Sequence, residues 1–413
     1  MPACARKAHR SRHLQTWVKE RNAECIAALG DPAKTETYRR ILDILDSKDK
    51  IAHISRIGGY YYNLWQDADH VAGIWRKTTL ASYKTSAPVW QTVLDIDALD
   101  PPQFGTAKTW VWHGSTLLDE GHNGGAWTTD RALIQLSPGG SDADTTREFD
   151  LITEQFIDVA NGGYALPTAA KTRISYRSRN ELLIGTDFGG DGTALTESGY
   201  PRVVKSWKRG TPIEAAVTVF EAERSDIVGV QYAYHDRGHV HEFQTRSVTF
   251  FTSKRWYRRL TPAQLASASA VDEVTPFVEL PIPDDAKLST FGACALITLR
   301  SSWTPHGCAA DCTYTAGALL SVPIDDVVRN VWTAVTVLFE PTADKSLRST
   351  TATRDYLVLK VLEHVRTKLV LPVPIGSLCR CGLVSELPST APTANGSLTD
   401  ASKWPRAAQA HPR

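Results

Sequence analysis

Between residues 51 and 371 the chain never settles into a helical period. Short alternating strings follow one another instead: TWVWHG, RALIQLS, TREFDLI, QFIDVA, TRISY, ELLIGTD, RVVKSWKRG, DIVGVQYAYH, SVTFFTS, CALITLR, ALLSVPI and YLVLKVL. Successive side chains of a strand point to opposite faces, and Val, Ile, Tyr, Trp and Thr suit a pleated, half-buried surface. Clusters of Gly, Asp, Asn and Ser punctuate the strings, so roughly twenty strands with almost no helix between them make this segment all-β. The stretch GYYYNLWQDADHVAGIWRKTTLASY, beginning at Gly59, shows the pattern in detail. Tyr60, Tyr62 and Leu64 fall on one face, and Tyr61, Asn63 and Trp65 on the other. Ile74, Arg76, Thr78 and Leu80 alternate on the return, with Gly73 available for the turn. An internal echo joins VWQTVLD, AVTVFEA and AVTVLFE, each closing a group of strands. The three lie about 120 residues apart, which fits a repeat of roughly 40–60 residues, the size of a propeller blade. A barrel or stacked sandwiches are the competing architectures.

The two ends differ from this middle. Residues 14–46 read as helix, with Leu14, Trp17, Val18, Cys25, Ile26 and Leu29 near a 3.6 period. Gly30-Asp31-Pro32 breaks it, and Tyr38, Ile41, Leu42 and Leu45 form one face of a second helix. Thr35 or Thr37 is its expected N-cap, because a hydroxyl accepts from the free amides of a first turn. After residue 371 the chain is rich in Pro, Ser, Thr and Ala with no sustained period. Such a segment buries too little apolar surface to offset its ordering entropy. The expected organisation is a helical arm at 1–50, a β domain at 51–371 and a disordered tail at 372–413.

Charge narrows the function classes. Lys and Arg total 46 against 45 Asp and Glu, so net charge is +1. That balance argues against nucleic acid or an anionic membrane as partner. WRKTT and SWKRGTP mix Trp with basic residues, but they are isolated and read as strand faces. No apolar run approaches the roughly 18 residues of a membrane helix, and the start lacks the apolar core of a secretory signal. Seven cysteines, at 4, 25, 294, 308, 312, 379 and 381, are odd in number and scattered. Cys308 with Cys312, and Cys379 with Cys381, lack the partners of a standard zinc spacing. Free thiols in a reducing, cytoplasmic compartment are expected.

Two further constellations are weighed as sites. HDRGHVHEF gathers His235, Asp236, His239 and His241, a density that could serve a metal. It reads better as a polar turn between strand groups. GTDFGGDGTALTESGYPR carries glycines at 185, 189, 190 and 192 but feeds a strand, whereas a phosphate cradle feeds a helix. No metal and no cofactor is expected.

From Trp17 onward the sequence resembles the prolyl oligopeptidase family of serine peptidases. The carrying strings are WVKERNAECIAAL, ILDSKDKI, GGYYYNLWQDADHVAGIWRKTTLASY, ELLIGTDFG, SGYPRVVKSWKRGTP, SVTFFTS, LITLRSSWT and ATRDYLVLKVLEHVR. The resemblance spans about residues 17–370. It implies a helical arm and a seven-bladed β-propeller, with the last blade incomplete over this length. In that family the propeller caps an α/β-hydrolase domain and admits short peptides, so oligopeptides and a hydrolase domain are the implied partners. A hydrolase of this kind carries G-x-S-x-G, a strained turn exposing the nucleophile. Gly139-Gly140-Ser141-Asp142-Ala143 lacks the second glycine, and no catalytic residue is assigned. The expected function is that of a peptide-gating propeller, catalytically inert as this chain. A non-catalytic propeller that binds peptides or a protein partner is the alternative, with carbohydrate binding on exposed Trp and Tyr as a third reading.

Overall fold

A computed structural model describes residues 3–99, 109–121, 129–261, 264, 275–307, 312–353, 355–372 and 384–386. Two helices come first, α1 (Ala3–Leu29) and α2 (Glu36–Asp46). The first starts eleven residues before the apolar period, since Ala, Arg and Lys propagate a helix without a buried stripe. Gly30, at φ +90°, ends it. Thr35 caps α2, its hydroxyl accepting from the Tyr38 amide at 3.1 Å. No described side chain of α2 is buried, and Trp17, Ile26, Ile41 and Leu45 all stand exposed.

The β region is a propeller-like succession of antiparallel sheets, each a meander. Sheet 1 holds β1 (Ser55–Ile57), β2 (Tyr60–Trp65), β3 (Ile74–Thr78) and β4 (Gln91–Asp95). Sheet 2 holds β5 (Trp110–Leu117), β6 (Arg131–Pro138), β7 (Asp144–Asp150) and β8 (Gln155–Phe156), with β9 (Ala165–Ala170) also paired to β7. Sheet 3 holds β10 (Arg173–Ser178), β11 (Glu181–Gly185), β12 (Val203–Lys208) and β13 (Val217–Glu221). Sheet 4 holds β14 (Val228–Asp236), β15 (His239–Ser247), β16 (Ser253–Leu260) and β17 (Val278–Glu279). Sheet 5 holds β18 (Lys287–Phe291), β19 (Cys294–Thr298), β20 (Leu319–Pro323) and β21 (Thr336–Phe339). Sheet 6 holds β22 (Lys345–Ala352), β23 (Leu357–Glu363), β24 (Arg366–Pro372) and β25 (Val384–Glu386).

Six sheets, not seven, are therefore built by the described residues, and the sixth has four strands. The expectation of seven with a partial last blade fails because the repeat lies at the top of the roughly 40–60-residue range, so the segment holds six. Successive sheets start roughly 60 residues apart, the excess lying in loops such as 186–202 and 299–318. The expected boundary at 371 also moves, since β25 pairs with β24 from within the segment read as tail. The remainder of 372–413 lies outside the described residues. The three echo strings become β4, β13 and β21, the last strands of sheets 1, 3 and 5, so each interval holds two sheets.

Apolar layers join most neighbours. Tyr62 and Trp75 of sheet 1 pack with Ile134 and Phe149 of sheet 2, the Tyr62–Trp75 rings 4.9 Å apart. Leu133 and Tyr164 meet Leu182 and Trp207 across sheets 2 and 3. Phe243 and Tyr257 meet Ile297 and Leu320 across sheets 4 and 5, and Phe291 and Leu319 meet Leu357 and Leu359 across sheets 5 and 6. Each fully buried large side chain contributes about 1.5–3 kcal/mol.

The seam between sheets 3 and 4 is built differently. Phe243 points into the sheet 4–5 core, so its strand neighbours Glu242 and Gln244 point the other way, towards sheet 3. Glu242, fully buried, accepts from Arg258 at 2.8 Å and Gln231 at 2.7 Å, and faces Arg177 of sheet 3 at 3.4 Å. Arg177 also bonds Glu181 at 2.9 Å, and Ser206 donates to the same carboxylate. Gly229 lets the backbones close here, since a Cβ would sit 2.9 Å from the Arg202 carbonyl. Beside this network lies a cavity of about 190 Å³ bordered by Ser175, Val204, Gln231 and Tyr232.

Candidate functional site

Contacts among the first-to-second strand turns of sheets 2 to 6 gather them at one mouth of the propeller. The β14–β15 hairpin dominates that mouth because its two strands, nine residues each, are the longest paired strands among those described. Asp-Arg-Gly makes its tip: Arg237 at φ +51° and Gly238 at +86° form the tight reversal that favours a right-twisted hairpin.

The tip is tied to three other sheets. The His235 amide donates to Asp119 of the sheet 2 turn at 3.0 Å. Gly121 permits this approach, because a Cβ there would lie 3.0 Å from the His235 ring. Asp236 accepts from the Thr290 hydroxyl and the Gly292 amide of sheet 5, each at 2.8 Å. Tyr234 adds a hydroxyl contact to Thr290 at 3.0 Å. Arg237 pairs with Asp236, lies 3.8 Å over the Phe291 ring, and donates to the Thr353 carbonyl of sheet 6. A guanidinium serves all three because its flat face stacks while its fork donates.

Charges at the same mouth are matched. Arg179, in the sheet 3 turn, bonds Glu120 at 2.6 Å and Asp130 at 2.9 Å. Burial pushes the Asp130 carboxyl up, but the Arg179 bond and the neighbouring arginines outweigh it and hold it below the ordinary value. Hydrogen bonds to Asp130 and Glu120 hold the Arg179 proton more tightly in turn. Arg209 grips the fully buried Glu148 at 2.7 and 2.8 Å, where the Tyr176 hydroxyl also donates at 2.9 Å.

The histidine-rich string does not converge. His239 and His241 are strand residues of β15, not part of a turn, and the strand is buried on both faces from Val240 to Thr245, which its polar residues do not signal. His241 is fully buried, with Nδ1 2.9 Å from the Tyr257 hydroxyl and Nε2 3.1 Å from the Gly292 carbonyl. Nε2–H donates to that carbonyl, so Nδ1 accepts from Tyr257. Burial lowers its pKa to about 4. Among the described residues, Asp344, Glu363 and His364 form the one cluster with ligand-like spacing. Lys345 and Lys368 already pair with Glu363, and His364 with Asp344 at 3.0 Å, so the group reads as a surface ion-pair network.

The glycine-rich stretch is the 186–202 loop and feeds β12, as its composition implies. Ser141 lies in the β6–β7 turn, its hydroxyl donating to the Ala143 carbonyl at 3.2 Å. Among the described residues no serine hydroxyl is hydrogen-bonded to a histidine. Cys312 is disulfide-bonded, which overturns the expectation of free thiols at that position. Its loop folds back on itself at a Trp303–Tyr314 bridge, and its sulfur partner lies outside the described residues. SVTFFTS, expected as a strand, is the β15–β16 turn: Thr249 accepts from the Phe251 and Thr252 amides and leaves Phe250 and Phe251 exposed. No described helix is long and apolar enough to cross a membrane. Asp119 and Arg237 escaped sequence reasoning. The D-R-G between two alternating strings signalled a hairpin, but nothing local signalled what it would touch.

Comparison with known proteins bears on this arrangement. No family model matches the chain. It is 31% identical over 360 residues to an uncharacterized peptidase of Sinorhizobium fredii, covering 86% of this chain and 46% of that one. It is 24% identical over 366 residues to an uncharacterized peptidase of Rickettsia prowazekii, covering 86% and 47%. In fold it is similar to a post-proline cleaving enzyme from Rickettsia typhi, with a TM-score of 0.73 and 22% identity over 91% of this chain and 52% of that one. The chain spans about half the length of the relatives it matches. Over its helical arm and propeller, the chain is related in sequence to these peptidases and shares the fold of the matching half of solved post-proline cleaving enzymes.

Proposed function

We propose that this chain is the peptide-admitting propeller half of an oligopeptide-cleaving machine, and that it performs no cleavage by itself. The observation that carries this reading is the extent of the similarity: arm and propeller are matched together, over most of this chain and about half of each peptidase. A ring of β turns with a polar, charge-matched mouth suits a filter, because extended peptides pass where folded domains do not. Acyl transfer needs an activated nucleophile, an oriented base and donors for the oxyanion. Ser141 sits in a turn with its hydroxyl committed to a backbone carbonyl. A proline-containing fluorogenic peptide, assayed at high concentration of the purified chain, should show no turnover. Turnover that survives purification and is abolished by a serine-directed fluorophosphonate would refute this.

The exposed apolar residues of the arm favour a second reading, a propeller that docks a protein partner. Binding of a separately made hydrolase domain, measured by calorimetry and lost on Trp17→Ser with Ile41→Ser, tests that the arm is the docking face, and unchanged binding in the double variant would refute it.

A further inference from the structure

We propose that the tip of the β14–β15 hairpin is a stopper seated on the propeller axis, and that an entering oligopeptide displaces it as a unit. The proposal rests on the filter reading and names the moving part. Sheet 4 has sheets 3 and 5 as its neighbours in chain order. Its hairpin tip nevertheless reaches the turn of sheet 2 through His235 and the turn of sheet 6 through Arg237. A segment that meets sheets two places removed on both sides stands over the middle of the ring.

The fastenings have the character of a latch. Each is a hydrogen bond or an ion pair made by the tip to another sheet's turn, and apolar burial contributes only the stack of Arg237 on Phe291. Such contacts can be exchanged for water or for another chain's polar groups, so the tip can leave without disturbing the sheet behind it. Below the tip the hairpin is anchored firmly: Phe243 and Tyr257 are buried in the sheet 4–5 core, and Glu242 is locked in the ionic seam. The boundary between anchored and releasable parts falls near His241. The displacing chemistry is that of an extended peptide, whose free amides and carbonyls can replace the Asp119, Gly292 and Thr353 backbone and side-chain partners in kind.

Amide hydrogen exchange on the whole chain tests this with two variants on opposite sides. Asp119→Ala removes the partner of the His235 amide directly. If the tip is one unit, it also speeds exchange of the Gly292 amide, on the far side, by about tenfold or more. Arg237→Ala removes contacts to sheets 5 and 6 and should speed the His235 amide likewise, while Arg237→Lys gives a smaller effect. Amides of β14 from Val228 to Gln231 should be unchanged in all variants, which also certifies the fold. Changes confined to the directly deprived amide would overturn the stopper. A proline-containing decapeptide added to the unaltered chain is the second arm, with a small folded protein as control. The peptide alone should speed both amides. Coupled variants with no peptide effect would keep the stopper and remove the filter reading. A peptide effect without coupling would do the reverse.

Discussion

Acidification should weaken this propeller through one buried imidazole. His241 is fully buried, donates through Nε2 to the Gly292 carbonyl and accepts at Nδ1 from Tyr257. Burial disfavours its charged form and lowers its pKa to about 4 from an ordinary value of 6.5. An unfolded chain therefore binds this proton more readily than the folded one. Stability is fully present above pH 6.5, falls as pH drops through the window from 6.5 to 4, and levels off below. The total is about 3 kcal/mol, of which about 2 kcal/mol is already lost at pH 5. The assay is urea unfolding at pH 7.5, 6, 5 and 4.5, run on the wild type and on His241→Gln. Glutamine keeps a donor for Gly292 but does not titrate, so the variant starts less stable and loses less on acidification. The difference between the two curves isolates His241 from every carboxylate titrating alongside. An imidazole titrating near 6.5 by NMR in the folded chain, or parallel pH profiles for both proteins, would refute the reasoning.

Other perturbations have defined outcomes. Glu242→Leu leaves Arg177 and Arg258 buried without their shared carboxylate and should cost about 3–5 kcal/mol in a urea titration. Gly163→Ala places a Cβ 2.2 Å from the Ile157 carbonyl oxygen and should lower stability by more than about 3 kcal/mol. Gly189→Ala, with open space around it but φ +85°, should cost only about 1 kcal/mol in the same assay. Amides of α2 should exchange far faster than those of β11, whose five residues are all buried.

Local pattern made the strands legible, and long-range geometry stayed hidden. Tyr62 and Leu64 face one way and Asn63 and Trp65 the other, as alternation requires, and the structure uses the first pair for the core. The other face holds Arg76 between Trp65 and Trp90, 4.0 and 4.2 Å from their rings. HVHEF was read as a turn because its alternate residues are polar. Glu242 is polar because its face of β15 meets the ionic seam, while His241, on the Phe243 face, is held by Tyr257 and the Gly292 carbonyl, and only the neighbouring sheets can disclose either role. SVTFFTS failed for the opposite reason: β propensity pointed to strand, but two threonines bracketing the phenylalanines close a turn. Blade number depended on repeat length, and insertions such as 186–202 stretched the repeat. Asp119 carries no local mark of importance, and its role comes from a partner 116 positions away.

The ionic seam also has a meaning for assembly. Six similar meanders with interchangeable apolar faces could stack in the wrong order, since Leu against Val is nearly as good as Leu against Ile. Sheets 3 and 4 cannot be confused with the rest. Arg177 on one side and Glu242 on the other, each already paired within its own sheet to Glu181 and Arg258, complete their bonding across the seam. An apolar neighbour would bury these paired groups with their cross-seam bonds unmade, which costs more than an apolar face against an apolar face. Such a pair discriminates against mispacked order more than it adds to the native state. It acts as a key between the two halves of the ring, fixing which sheet is third and which is fourth before the apolar seams around it close.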